Sequence, residues 1–489
     1  MVSKCNKYSL DPDEWSNLRE LGHGMVDDMM TRLETIRDHD FRWASEKELG
    51  ELMLPLPEKG TGERETYQVF KENILDFSLT HNKPNFWGVV AGTGSPYGML
   101  VEMLVGGVNN LMEQKPAISG YLHEQVIEWI IELLEYPTEA GGILVNGGSE
   151  ANFTALAVAR NAQATKDMKT EGVHGQPQRM VLYCSDQAHE CIERSVELLG
   201  LGNEALRWVP TNDNHSMNLN MLKKQIKQDR DSGYHPFCVI GTAGTTNNGA
   251  FDDFKALREI ADQENLWLHV DGAFGSWLKL SGTHRHLVDG IELADSLAVD
   301  LHKWISMPYG IGCTLVRDKE AHFKTFVYGH EAEYIKSGQD LEEDQITSPH
   351  NLALALSRNN LSLKAYMLFR AYGCEMYSGL VQQNLDQIKY FAGLIKANPR
   401  LELMAPIISN VVCFRYNPGG LGKEYLDSLN QGILQKLFDV NFWIISDTHV
   451  KDQYMLRVCN VNNRTTESDF DELVSNILRI GDQLLKEYN

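Results

Sequence analysis

Two rhythms of apolar and polar residues divide the chain. From residue 143 to 316, short runs rich in β-branched and aromatic residues alternate with longer amphipathic stretches. The runs are ILVN (143–146), MVLYC (180–184), ALRWV (205–209), FCVIG (237–241), LWLHVD (266–271), SLAVD (296–300) and GCTLV (312–316). Between the fourth and fifth, DDFKALREIADQEN opens on acidic capping residues and spaces Phe254, Leu257, Ile260 and Ala261 along one helical face. Strand-like runs alternating with helix-length stretches predict an α/β fold, a mostly parallel seven-stranded sheet covered by helices. The stretch from Asp300 to Gly312 is too short for a helical crossover, so the seventh strand is expected to run antiparallel.

The flanks follow the other rhythm. Early on, LRELGHGMVDDMMTRLETI places apolar residues at helical spacing, and the proline-rich LMLPLPEKG follows, which describes an arm rather than a self-sufficient domain. After a polar stretch from about 325 to 350, SLKAYMLFRAYG resumes a helix. VVCFRYN and YMLRVCNV then read as strands, and TTESDFDELVSNILRIGDQLL as a helix with capping signals at Thr465 and Thr466. The expected organisation is an N-terminal helical arm (1–85), a large domain (86–372) and a small C-terminal αβ domain (373–489).

Composition narrows the function classes. At 489 residues and 43% hydrophobic, the chain has ample material for a core. A formal net charge of -22 argues against nucleic acid or an anionic membrane as partner. The eight cysteines, at 5, 184, 191, 238, 313, 374, 413 and 459, form no CxxC pair, and buried free thiols are expected. With no apolar run near the roughly 20 residues of a membrane span and no signal-peptide core, a cytoplasmic location is expected. His284 and His286 in GTHRHL lack a carboxylate or cysteine at ligand spacing, so no metal site is expected.

The chemistry collects where strands end. In open α/β sheets ligands bind at the carboxyl ends of the strands. There the chain offers NGGSEAN, SDQAHE, TAGTTNNG, HVDGAFG and DLHKW. Gly147, Gly148 and Ser149 precede the helical ANFTALAVAR, whose free N–H groups suit a phosphate, although the same turn also serves as a plain N-cap. Asp271 ends an apolar strand and needs a cation or proton donor there, or acts as a cap. Lys303 is either a surface lysine with a buried stem or an amine poised for a Schiff base. His189 alone reads equally as a hydrogen-bonded core histidine. Pyridoxal phosphate accounts for all four at once: its aldehyde takes a lysine, its pyridine nitrogen a carboxylate, its phosphate a helix N-terminus and its ring a stacking partner.

The ordered set NGGSEANF, SDQAHECIERS, GTAGTTNNGAFDD, LWLHVDGAFG and DLHKW resembles the group II pyridoxal-phosphate-dependent amino acid decarboxylases, the aromatic amino acid, histidine and glutamate type, from about residue 80 to the C-terminus. The resemblance implies the aspartate aminotransferase fold (fold type I of the pyridoxal-phosphate-dependent transferases) and a cytoplasmic homodimer with active sites at the subunit interface, the arm packing on the partner. It implies that Lys303 carries the cofactor as a Schiff base, Asp271 pairs with the pyridinium nitrogen and His189 stacks on the ring. Gly148, Ser149 and His302 would hold the phosphate, with Thr246 and Ala273 along the cofactor's sides. Asp300 would neighbour the cofactor, where aromatic amino acid decarboxylases commonly carry asparagine.

Tyr334, in AEYIKSG, matches the loop tyrosine that returns a proton to the substrate Cα, and Tyr328 is its nearby rival. Family members with phenylalanine there tend toward oxidative deamination to an aldehyde, so tyrosine favours simple decarboxylation. PNFWGVVAGTGSP aligns with the segment lining the side-chain pocket, with Val89, Val90, Ala91 and Gly92 where aromatic decarboxylases have Tyr-Phe-Pro-Thr. Trp87 and Val90 are the expected substrate contacts there, and the aromatic surface of Phe86 and Trp87 favours an apolar or aromatic side chain. Ser357, in ALALSRNN, falls where aromatic decarboxylases have glycine and histidine decarboxylases serine, a position that reaches the neighbouring subunit's site. The expected reaction converts an aromatic or histidine-like L-amino acid to its primary amine and carbon dioxide. The competing readings are another fold-type-I enzyme (acidic amino acid decarboxylase, aldehyde synthase, carbon–carbon lyase or aminotransferase) and a non-catalytic protein that binds the cofactor.

Overall fold

A computed structural model describes residues 9–78, 81–110, 113, 115, 117–327, 348–440, 442–450 and 452–488. All seven apolar runs fall on strands of one sheet: β1 (Gly141–Val145), β2 (Met180–Ser185), β3 (Leu206–Val209), β4 (His235–Thr242), β5 (Trp267–Asp271), β6 (Ser296–Asp300) and β7 (Gly312–Val316). Their spatial order is β1-β7-β6-β5-β4-β2-β3. β7 runs antiparallel to both its neighbours, as the short Asp300–Gly312 connection requires, and the other pairings are parallel. β5, β6 and β7 are buried at every position because helices cover both faces, which is why they read as unbroken apolar runs rather than alternating ones.

The connecting helices obey local rules. In Phe254–Glu264 the Asp253 carboxylate accepts the Ala256 N–H, Phe254, Leu257, Ile260 and Ala261 are buried, and Asn265 closes the end at φ 50°. The helix over Gly148–Ala162 starts directly from β1 and packs against β6 and β7, so its N-terminus lies beside the ends of the central strands.

A second sheet, β8 (Leu401–Leu403), β9 (Val411–Tyr416), β10 (Ser446–Val450) and β11 (Gln453–Cys459), is antiparallel in the order β10-β11-β9-β8. Its strands alternate in allegiance: Tyr454, Leu456 and Val458 face the C-terminal helices, while Met455 and Cys459 face the large core. Arg457 lies in register with the latter pair.

The long helix Leu361–Ala397 is interrupted at Gly373 (φ 66°, ψ 174°), where the boundary between large and small domains is expected. Packing changes hands further on: Tyr377, Val381 and Leu385 still serve the large core, and Ile388, Phe391 and Ile395 the second one. The boundary expected at residue 86 is likewise crossed. The Trp87 N–H donates to Ile444 O (2.7 Å), Ile444 N–H to Asn85 O (3.1 Å) and Cys459 N–H to Trp87 O (3.0 Å), so Asn85–Gly88 is laced into the second domain.

The N-terminal helix Trp15–Glu34 buries none of its residues, and Trp15, Met25, Trp43, Met53, Leu54 and Leu56 are exposed along the arm. Among the described residues no helix is long and apolar enough to cross a membrane, no His, Cys, Asp and Glu cluster suits a metal, and the seven described cysteines are free, six of them buried.

Candidate active site

One cavity of about 470 Å³ opens at the carboxyl ends of β1, β2, β4, β5 and β6. Gly148, Ser149, His189, Thr246, Asp271, Ala273, Asp300, His302 and Lys303 all line it, so the fold unites nine residues from five separate stretches of sequence.

Gly147 (φ 148°) turns the chain from β1 into the Gly148–Ala162 helix. A Cβ at Gly148 would stand 2.6 Å from Asp300 Oδ2 and 3.1 Å from the Ala273 methyl, and one at Gly312 would stand 2.7 Å from Asp300 Oδ1. Glycine is therefore required here by close approach as well as by the turn. Behind the cradle, Asn152 donates to Gly148 O (2.9 Å) and pairs with His269 Nε2 (2.8 Å), whose Nδ1 lies 2.9 Å from Ser296 Oγ. This fully buried relay fixes the helix against β5 and β6.

Asp271 is 5% exposed, and its Oδ1 accepts the Ala273 N–H (3.1 Å), so it caps its own turn while lining the cavity. Nδ1 of His189 accepts the Cys191 N–H (3.1 Å), which fixes the ring and leaves its proton on Nε2. Lys303 is half-buried with Nζ 3.1 Å from Asp300 Oδ2. Burial disfavours its charge, but Asp300 and then Asp271 more than offset this, and the Lys303 ammonium is held above the ordinary lysine range. The imidazole of His302 hydrogen-bonds Ile311 O through Nδ1 (2.9 Å), and burial pushes its basicity down despite Asp300 3.6 Å away. Asp300 is 1% exposed, and its Oδ1 has no hydrogen-bond partner among the described residues.

Of the expected substrate residues, Trp87 and Val90 lie outside the cavity. Trp87 is completely buried in the second core, stacked on Phe470 at 4.7 Å with Nε1 donating to Thr465 Oγ1 (3.0 Å). This corrects the expectation that Trp87 meets substrate: its whole surface is used by the small domain. Val90 is half-buried against the large core and Ser357 is exposed, and neither lines the cavity. The segment around them does reach the site, because a Cβ at Gly92 would lie 2.1 Å from His302 O and 2.2 Å from Lys303 O. A threonine does not fit that contact. Tyr334 and Tyr328 lie outside the described residues.

Two contributors went unread in the sequence. Tyr309 lines the cavity and stacks at a tilt on His302 (4.7 Å), with His81 beyond it at 5.6 Å. Arg457, 4% exposed, donates to Thr246 O (2.9 Å), Gly88 O (2.9 Å) and Ser446 Oγ (3.0 Å). The signal for it was an arginine inside the apolar strand YMLRVCNV, a position that tolerates a charge only when it is hydrogen-bonded; here Nε and Nη1 make those bonds, while Nη2 has no partner among the described residues.

The donor set fits pyridoxal phosphate: a glycine cradle at a helix N-terminus, an amine between two carboxylates, an acid at a strand end and a fixed imidazole. Residues 50–417 match the model of the pyridoxal-dependent decarboxylase conserved domain. The chain is 30% identical to an aromatic-L-amino-acid decarboxylase of Bacillus atrophaeus over 482 residues, 96% of this chain and 97% of the relative. It is 29% identical to an L-2,4-diaminobutyrate decarboxylase of Acinetobacter baumannii, covering 88% and 87%. The solved structure of an Oryza sativa TDC with PLP and tryptamine superposes with a TM-score of 0.88 at 21% identity, covering 97% of this chain and all of that one. The architecture is thus fold type I, with its mostly parallel seven-stranded sheet and smaller C-terminal sheet domain.

Proposed function

Because the chain belongs to the pyridoxal-dependent decarboxylase family, uses pyridoxal phosphate and is an amino acid decarboxylase, we propose that it converts an L-amino acid with an aromatic or histidine-like side chain to the primary amine and carbon dioxide. The observation that carries the assignment of residues is the convergence of Lys303, Asp271, His189 and the Gly148–Ser149 helix start on one cavity. When bound, the cofactor supplies an electron sink for the pair left as the α-carboxylate departs.

Lys303 would anchor the cofactor aldehyde. Asp271, its carboxylate oriented by the Ala273 amide, would keep a proton on the ring nitrogen. His189, its ring fixed by the Cys191 amide, would stack on the cofactor ring. Gly148, Ser149 and His302 would hold the phosphate, with Ala273 and Thr246 flanking the ring. Tyr334 would return a proton to Cα. The aromatic preference is supported by the His81–Tyr309 pair, whose tyrosine lines the cavity, and by the absence of a side chain at Gly92, which packs on the Lys303 backbone.

The exposed apolar arm supports a homodimer in which residues 1–85 pack on the partner and Ser357 reaches the partner's site, and the unpaired, mostly buried cysteines support a cytoplasmic setting. The deciding experiment incubates cofactor-loaded protein with each L-amino acid while amine and carbon dioxide are measured. Turnover is expected with aromatic amino acids or histidine and lost in Lys303→Ala. Exclusive turnover of diamino or acidic amino acids would overturn the substrate class. In Tyr334→Phe, aldehyde is expected to replace amine as the main product. Sedimentation of the purified protein tests the dimer.

A further inference from the structure

Asp300 is the anomaly of the site. Its carboxylate is enclosed by Gly147, Gly148 and Gly312, so closely that a Cβ at Gly148 would fall 2.6 Å from Oδ2 and one at Gly312 2.7 Å from Oδ1. It thus occupies the mouth of the helix N-terminus assigned to the phosphate. Among the described residues its one strong partner is Lys303 Nζ at 3.1 Å, and its Oδ1 accepts no hydrogen bond from them. Loading the site turns both facts against an ionised carboxylate: the ammonium is withdrawn as the lysine engages the aldehyde, and a phosphate dianion arrives beside a buried anion.

We propose that Asp300 is a neutral carboxylic acid in the loaded enzyme, having taken its proton from Lys303, and that it then donates a hydrogen bond to the cofactor phosphate. The step balances. One Nζ–H bond of the ammonium breaks and an O–H bond forms on Asp300, with the pair's net charge zero before and after. The freed nitrogen electron pair attacks the aldehyde carbon, and the aldehyde oxygen leaves as water with the two remaining amine protons. One residue thereby frees the nucleophile and removes its own repulsion. An asparagine at 300 would donate to phosphate but accept no proton.

This rests on Lys303 being the cofactor's lysine, and the test separates the two. Difference infrared spectra of pyridoxal-phosphate-loaded minus apoprotein are expected to show a protonated-carboxyl band that shifts on carboxyl-13C aspartate labelling and is missing from Asp300→Asn. The labelled wild type carries this result even if the variant folds poorly. Dissociation constants for pyridoxal phosphate across pH 6.5 to 9 give a second reading. In Asp300→Asn the lysine's proton goes to solvent, so affinity is expected to rise with pH more steeply than in wild type, by up to about tenfold per pH unit. The other groups facing Asp300 are Lys303 and His302 on its own loop, Asp271 on β5, Cys191, Tyr309, and Glu150 in the first turn of the cradle helix. They are common to both proteins and cancel in the difference. Absence of the band in a wild type that forms its lysine-linked chromophore, or equal slopes, would overturn the proton transfer alone. The same chromophore in Lys303→Ala would overturn the Lys303 assignment and with it the proton source.

Discussion

A single side chain decides two questions at once at position 271. One oxygen of Asp271 is engaged by its own turn, so Asp271→Asn keeps an acceptor for the Ala273 amide but can no longer hold a positive charge on a ring nitrogen. The variant is expected to melt within a few degrees of wild type while the decarboxylation rate falls by about 10²-fold or more, the scale of losing one preorganised electrostatic group. A large drop in melting temperature at full specific activity would contradict this. Gly92 poses the opposite case. Gly92→Ala forces a methyl into the His302 and Lys303 carbonyls, so it is expected to destabilise by about 1–3 kcal/mol and to weaken cofactor retention, read by denaturant titration and dialysis. Residues such as Asp271 and Lys303 were legible because an ionisable group at the end of an apolar strand demands a partner. Trp87 was not, because an indole beside a pocket segment looks the same whether its partner is substrate or Phe470, and Phe470 lies far along the chain.

Among the elements, the central strands announced themselves through burial on both faces. β10, SDTHV, and the three-residue β8 did not, since an edge strand needs neither an apolar run nor length and is recruited by its neighbour's hydrogen bonds. The alternation of β11 shows how one strand serves two cores, and Arg457 is the cost of facing the large one. Its guanidinium ties β11 to Thr246 of the cavity wall and to Gly88 below the Val89–Gly92 segment. Arg457→Met is expected to cost about 2–4 kcal/mol, from lost hydrogen bonds of a buried charge, and to raise KM for the amino acid more than it lowers kcat. Denaturant titration and steady-state kinetics together check the split.

For the whole molecule, acid is the expected weakness. His123, His269 and His322 are fully enclosed, and burial pushes them down to about 3, about 4 and about 4 respectively. A histidine depressed in the folded state binds its proton first in the unfolded chain, so the stability it protects is complete above about pH 6.5 and drains away as pH falls toward 4. Each contributes about 1.4 kcal/mol per pH unit in that window, so the three together give about 4. Burial raises Asp252 to about 6, so that carboxyl takes up its proton first in the folded state and offsets about one histidine below that pH. Denaturant titrations between pH 6 and 4.5 are therefore expected to give His322→Gln a slope shallower than that of the wild type by about 1.4 kcal/mol per pH unit. Equal slopes would mean that the His322 ring is protonated in place.

The short stretch Asn85–Gly88 has a bearing on how the protein is made. Its backbone hydrogen bonds to the small domain are with Ile444 and Cys459, and the Trp87 indole reaches a threonine 378 residues downstream. A ribosome therefore releases this segment long before anything exists for it to pair with, and the small domain acquires its last strand only when translation is nearly over. A fragment comprising residues 373–489 alone would be born with the Ile444 and Cys459 backbone groups that meet this segment unpaired and an empty berth for an indole. Supplying residues 81–95 as a separate peptide is expected to raise that fragment's melting temperature, and the same peptide with Trp87→Ala is not.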